Sequence, residues 1–250
     1  MITIAIYNLK GGVGKTTSAV NLAHLASTAK KNTVLWDWDP QAAATWYFGL
    51  DDGERKAIRL LRKGEPFGTL EIISPFPNLS IVPADLSLRQ FDTDLAGMGA
   101  ARRFMRQLIK PVGKNTDILI FDCPPTLSPS MEFLLSGVDL MLVPMIPSPL
   151  SLRAMHQVTE FFQEQKQPPR RIHGFFNMVD MRRSIHKQTL ESAKLLPLPV
   201  LKTLIPMDSA AEQMSEMRAP LTSYARAGRA ATAYRAMWKE IARVLRTKAA

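Results

Sequence analysis

The chain has a single cysteine, Cys123, so an internal disulfide framework and every within-chain two-cysteine metal motif are excluded. Its four histidines lack metal-ligand spacing, and no Ser/His/Asp nucleophilic arrangement is visible. No window approaches the eighteen or more apolar residues of a membrane span. The amino terminus runs straight into a β-branched segment, without the basic stretch, apolar run and cleavage site of a signal peptide. The expectation is a soluble, cytoplasmic protein. Acidic residues are also scarce, but only at one end. Residues 1–169 carry 17 Lys/Arg against 16 Asp/Glu, whereas residues 170–250 carry 15 against 6. Nearly all of the formal charge of +10 therefore lies in the last third. Such an excess fits a patch for nucleic acid or a surface facing an anionic membrane.

What is present is enough apolar material for a full core: 46% of 250 residues. Strand and helix signals alternate along the chain. Strands are expected at Ile2–Tyr7, Thr33–Trp38, Leu79–Pro83, Asp117–Phe121, Asp139–Val143 and Arg171–Asn177. Helices are expected from Thr16 to about Ala29, and at Ala57–Lys63, Leu95–Lys110, Ser151–Lys166, Arg182–Leu195, Ala211–Met217 and Tyr224–Arg246. No linker, repeat or low-complexity tract divides them. The reading is one α/β domain spanning residues 1–250, with a mostly parallel central sheet flanked by helices.

The first strand leads into Gly11-Gly12-Val13-Gly14-Lys15-Thr16-Thr17, which opens the first helix. Glycines let successive backbone N–H groups curl around phosphate oxygens, and the helix points its positive end at the same anion. Lys15 is placed to reach the β- and γ-phosphates and the Thr16 hydroxyl to ligate Mg²⁺. A nucleoside triphosphate, ATP with Mg²⁺, is the expected ligand. Two strand ends supply carboxylates: Asp37 and Asp39 after the second strand, and Asp122 after the apolar run Ile118–Phe121. Asp39 is the candidate for orienting an attacking water. Asp122 is the candidate for holding a metal-bound water or sensing the γ-phosphate, and both acids are candidates for the metal site. Phosphoryl transfer asks mainly for positioning and charge stabilisation, which these groups offer.

Lys10–Thr17 resembles the deviant Walker A motif of the ParA/MinD ATPases. Trp36–Gln41 resembles that family's second acidic motif, and Ile118–Pro125 its Walker B segment with paired prolines. The resemblance extends through Val143-Pro144, Asn177, Ile205-Pro206 and Ala219-Pro220, covering nearly the whole chain. It implies a P-loop ATPase in which Lys10 reaches across a nucleotide-sandwich homodimer to the partner's phosphates. Asp39 then matches the acid needed for hydrolysis, Asp122 the Walker B acid and Asn177 an adenine contact, with Pro206 and Met207 lining the base. The lone Cys123 does not match the set required by nitrogenase-iron-protein relatives. The Cys-x-x-Cys of Mrp-type scaffolds and the DNA-binding extension of larger plasmid ParA proteins have no counterpart here.

By this resemblance the chain is a small ParA-type partition or positioning ATPase. It would bind DNA non-specifically as an ATP-bound dimer, with slow turnover stimulated by a ParB-like or other adaptor and a nucleoid-associated location. The candidate DNA surface is Arg182, Arg183, Lys187, Arg218, Arg226 and Arg229. Two alternatives stand beside it. One is a MinD-like membrane-associated ATPase, which Met237, Trp238, Ile241, Val244 and Leu245 within Arg235–Thr247 would serve if they are not simply packed on the core. The other is a nucleotide-dependent scaffold with negligible turnover. The cargo, whether plasmid, chromosome region or protein, is not written in the chain.

Overall fold

A computed structural model describes residues 1–50, 72–74, 76–84, 109–110, 112, 115–163, 168–196 and 198–247. The strands are β1 (Ile2–Ile6), β2 (Thr33–Asp37), β3 (Ile72–Ile73), β4 (Leu79–Val82), β5 (Ile118–Asp122), β6 (Leu140–Met145) and β7 (Ile172–Phe176). They form one sheet in the order β3-β4-β2-β5-β1-β6-β7. Every pairing is parallel except β3 with β4. The α/β class and the mostly parallel sheet expected from the sequence are therefore observed.

Parallel strands covered on both faces read as continuous apolar runs, and alternate residues separate into two layers. Ala5, Trp36, Phe121 and Met141 enter one layer, with Met131, Leu135, Met155 and Phe162 packed over them. Ile4, Leu35, Ile120 and Leu142 enter the other, under Val20, Ala23, Tyr234, Met237 and Ile241. The second layer is roofed by α1 (Lys15–Thr28) and the carboxyl-terminal helix α9 (Arg229–Arg246). The apolar face of α9 is thus occupied: Met237 and Ile241 are fully buried, and Trp238, Val244 and Leu245 pack against the same layer.

Local signals account for the remaining differences. The helix α2 (Ala43–Tyr47) was not anticipated, because five residues are too few to show a period. Nor was α3 (Pro129–Ser136), although Ser128 caps it and Pro129 opens it. The helix α4 (Pro149–Gln163) starts two residues early, where the Ser148 hydroxyl accepts from the Ser151 N–H at 3.2 Å. The α5 helix (Ser184–Ser192) ends in a 3₁₀ turn at Ala193–Leu195. The expected Ala211–Met217 helix is two short pieces, α6 (Ser209–Glu212) and α7 (Met214–Met217), and α8 (Leu221–Tyr224) precedes α9. The expected helix at Ala57–Lys63 and residues 95–108 of the expected Leu95–Lys110 helix lie outside the described residues.

The chain leaves β1 for β2 on one side, while β6 lies on the other. The carboxyl end of β1 is therefore the topological switch point, where ligands bind in open α/β sheets.

Candidate nucleotide site

The loop that follows β1 is clamped from two neighbouring strands. Asn8 Nδ2 donates to the Pro144 carbonyl at 2.8 Å, while its Oδ1 accepts from the Lys10 N–H at 2.9 Å. Asn177, at the end of β7, donates from Nδ2 to the Val13 carbonyl at 2.8 Å, and its Oδ1 accepts from the Met178 N–H at 3.0 Å. Between the clamps Gly12 and Gly14 have φ of 71° and 85°, the left-handed region that glycine tolerates. Gly14 is constrained twice over, since a Cβ there would lie 2.1 Å from Asn177 Nδ2. Gly11 and Gly12 face open space and are exposed, leaving their backbone accessible to an anion.

Lys15 is buried, and its ammonium donates to the Lys10 carbonyl at 3.0 Å. Burial lowers its pKa, against the opposing pull of Asp122 and Asp39. A buried cation held by one loop carbonyl, at the amino end of α1, is poised for a multiply charged anion. Lys10 is half-buried, and its ammonium has no hydrogen bond or ion pair among the described residues.

Two carboxylates meet where β2 and β5 end, because the register sets Asp37 beside Asp122. Both are fully buried, with opposite surroundings. Asp37 accepts from the Thr45 N–H and hydroxyl, each at 2.8 Å, and from the Asp39 N–H at 3.1 Å. It builds the turn into α2, so this sequence-proposed acid is occupied by structure. Asp122 has no hydrogen-bond partner on either carboxylate oxygen. Burial, then the Asp37 charge, raises its pKa well above the usual carboxylate value. Thr16 and Lys15 pull the other way, Thr16 without completing a hydrogen bond of ordinary geometry. A buried, unpaired carboxyl group calls for an explanation such as a missing ion or water. Asp122 beside Thr16 fits the surroundings of a nucleotide-bound Mg²⁺. Among the described residues no cluster of three or more His, Cys, Asp or Glu forms a metal site. An ion here would therefore draw on Thr16, on water oriented by Asp122, and on phosphate oxygens. Asp39 is half-buried, and its Oδ1 accepts from the Gln41 N–H at 2.9 Å. It lines a 420 Å³ cavity between its own loop and Pro124–Met131, not the cavity beside Thr17.

That second cavity, of 220 Å³, is lined by Thr17, Asn177, Pro206 and Met207, four residues of the sequence-proposed nucleotide site. It also holds Tyr47, Met178 and Tyr234, which the sequence reading missed. Tyr234 comes from α9, over two hundred residues away in sequence, and no local pattern marks it. Cys123 is buried, with burial and Asp122 pushing its thiol up, so it is a packing residue.

The basic candidates do not share one environment. Arg182 and Arg229 line a common 490 Å³ cavity. Arg182 is exposed but forms a two-pronged pair with Asp180 at 2.9 Å. Arg183 and Lys187 are exposed at the start of α5. Arg218 lies elsewhere, its guanidinium 3.9 Å from the Trp46 ring centroid and donating to the Leu50 carbonyl at 3.1 Å. Arg226 donates to the Ser223 carbonyl, also at 3.1 Å. No helix among the described residues is long and apolar enough to cross a membrane.

Residues 1–172 match the model of the AAA domain family. The chain is 27% identical over 245 residues to the chromosome partitioning protein ParA of Myxococcus xanthus (strain DK1622), covering 95% of this chain and 87% of that one. It is 28% identical over 246 residues to the sporulation initiation inhibitor protein Soj of Bacillus subtilis (strain 168), covering 96% and 97%. Its fold superposes, at a TM-score of 0.81 and 19% identity, on the septum site-determining protein MinD of Pyrococcus horikoshii OT3, solved as a complex with Mg-ADP. That superposition covers 97% of this chain and 96% of the other. With the glycine loop at the switch point and Asp122 beside it, the chain belongs to the AAA domain family and is a P-loop ATPase of the ParA/MinD type.

Proposed function

We propose that the chain is an ATP- and Mg²⁺-dependent switch that pairs in its ATP state and binds DNA without sequence preference. It hydrolyses ATP slowly under the stimulus of an adaptor protein, and so segregates or positions a plasmid, chromosomal or protein cargo. The observation that carries this reading is Asp122: a buried carboxyl with no partner, next to a loop whose glycines, Lys15 and Thr16 suit a Mg²⁺–triphosphate. Thr17, Asn177, Pro206 and Met207 then receive the base, and Asp39 orients the water that attacks the γ-phosphate. Lys10, unpaired among the described residues, is delivered to the partner's phosphates, so that charge stabilisation in the transition state requires the dimer.

The relatives named for chromosome partitioning support DNA as the matrix, as does the basic excess of the last third. Arg182, Arg183, Lys187 and Arg229 are its main contacts, with Arg218 and Arg226 further along the surface. A nucleoid-associated place in the cytoplasm follows from that matrix. The membrane alternative has less support, since the face of α9 that would enter a bilayer is packed on the core.

The test is D39A. The variant should lose hydrolysis yet form dimers with ATP and not with ADP, read by size exclusion with light scattering. Those dimers should bind random-sequence DNA with a steep salt dependence. Monomers in both nucleotide states, or equal DNA binding in both, would overturn the proposal. Turnover indistinguishable between parent and D39A, with dimerisation intact, would convert the reading to a scaffold.

A further inference from the structure

Tyr47 is the last residue of α2, the short helix that follows the Asp39 loop. It is half-buried and lines the 220 Å³ cavity together with Thr17, Asn177 and Met207. The cavity is wider than a water site and mostly apolar at its walls, as a site for a flat heterocycle should be. Tyr47 is also stiffly mounted. Asp37 grips the first turn of α2 through the Thr45 N–H and hydroxyl, and the Thr45 hydroxyl accepts from the Ala84 N–H at 3.0 Å. On the outer side, Trp46 Nε1 donates to the Ser215 carbonyl at 3.3 Å, under the Arg218 guanidinium. A short helix held at the two residues before Tyr47 gives the ring a fixed mounting, so less freedom is lost when a ligand packs against it, which is how a wall adds affinity.

We infer that Tyr47 is a base-binding residue of this chain, its ring closing the nucleobase cavity from α2. The inference rests on the nucleotide reading above and adds the element that encloses the base. Because α2 and Asp39 are joined through Asp37, the wall of the base pocket and the proposed hydrolytic acid belong to one braced segment.

The test compares the parent with Y47A and Y47F, using a fluorescent N-methylanthraniloyl ADP with Mg²⁺ and, as competitor, inorganic tripolyphosphate, which has no base. Y47A should weaken binding of the fluorescent nucleotide about tenfold, chiefly through faster dissociation, as loss of one aromatic wall does. Y47F should return it to within about twofold of the parent, since the ring forms the wall. The affinity for tripolyphosphate should be the same in all three proteins. Thermal melts without nucleotide establish that each variant is folded. Unchanged nucleotide affinity in a folded Y47A, or an equal loss for tripolyphosphate, would overturn the role of Tyr47. Failure of the parent itself to bind the nucleotide would overturn the nucleotide reading instead.

Discussion

Replacing Asp122 with asparagine should make the nucleotide-free protein more stable while removing its response to Mg-ATP. In the parent this carboxyl is fully buried, has no hydrogen-bond partner, and sits in register with the Asp37 carboxylate. Leaving a buried polar group unpaired costs about 1–3 kcal/mol, and a nearby like charge adds to that. An amide of the same shape cannot ionise, and its N–H group is a donor beside Asp37, its neighbour in register. A recovery of about 1–3 kcal/mol corresponds to a rise in melting temperature of roughly 2–12 °C for a domain of this size. With ligand the order should reverse. The parent gains about 2.7 kcal/mol at a hundred times the dissociation constant, whereas the variant, lacking the charge that orients metal-bound water, gains little. Differential scanning fluorimetry with EDTA, then with Mg-ATP, reads both halves. A D122N protein that melts below the parent without nucleotide would refute the reasoning, because it would mean the carboxyl is satisfied in the folded state.

Three other perturbations probe separate features. Gly14→Ala should abolish the nucleotide-induced rise in melting temperature, since φ is 85° and the new Cβ meets Asn177; in an N177A background the same change should cost less stability, as a double-mutant cycle would measure. His24 is buried, hydrogen-bonds the Thr222 hydroxyl at 2.7 Å, and has its pKa lowered from 6.5 to about 4 by burial and then by Arg226. The unfolded chain therefore binds the extra proton first as pH falls below 6.5. Stability should drop progressively towards pH 4 by about 3 kcal/mol, and H24N should flatten that part of a urea-midpoint profile. Arg218→Ala should cost about 0.5–1 kcal/mol and shift tryptophan emission through Trp46, and R183A or K187A should reduce the salt slope of DNA binding by about 1.

The phosphate loop was legible because its chemistry is local. Glycines, Lys15 and Thr16 are consecutive, and the strand before and helix after them carry their own signals. Asn177 and Pro206 came through resemblance, and the structure brings them to one cavity. Tyr47 and Tyr234 were hidden for different reasons. Tyr47 sits on a helix of five residues, and Tyr234 lies on the buried side of α9, where its hydroxyl meets Ser18 at 3.1 Å and it reads as ordinary core. Arg218 shows a different limit. It looks like any other cation in a basic stretch, and only the fold sets it over Trp46.

Asp37 and Asp122 carry that lesson furthest. Both close an apolar strand, both are buried, and the register makes them neighbours, so no feature of strand pattern separates them. Their partners do. Asp37 receives three donors, two of them from Thr45 eight residues on, which commit its oxygens to the turn and partly offset the burial that raises its pKa to about 7. Asp122 receives none. Buried, and with a second carboxyl in register beside it, Asp122 is unfavourable to ionise until a cation arrives, which makes the Mg²⁺-loaded site complementary. Asp37 is thus more than scaffolding: its ionised form opposes ionisation of Asp122 and so widens the contrast between the two states of that group. D37N should therefore narrow that contrast, reducing the melting-temperature difference between nucleotide-free and Mg-ATP-bound protein even though Asp37 itself touches neither.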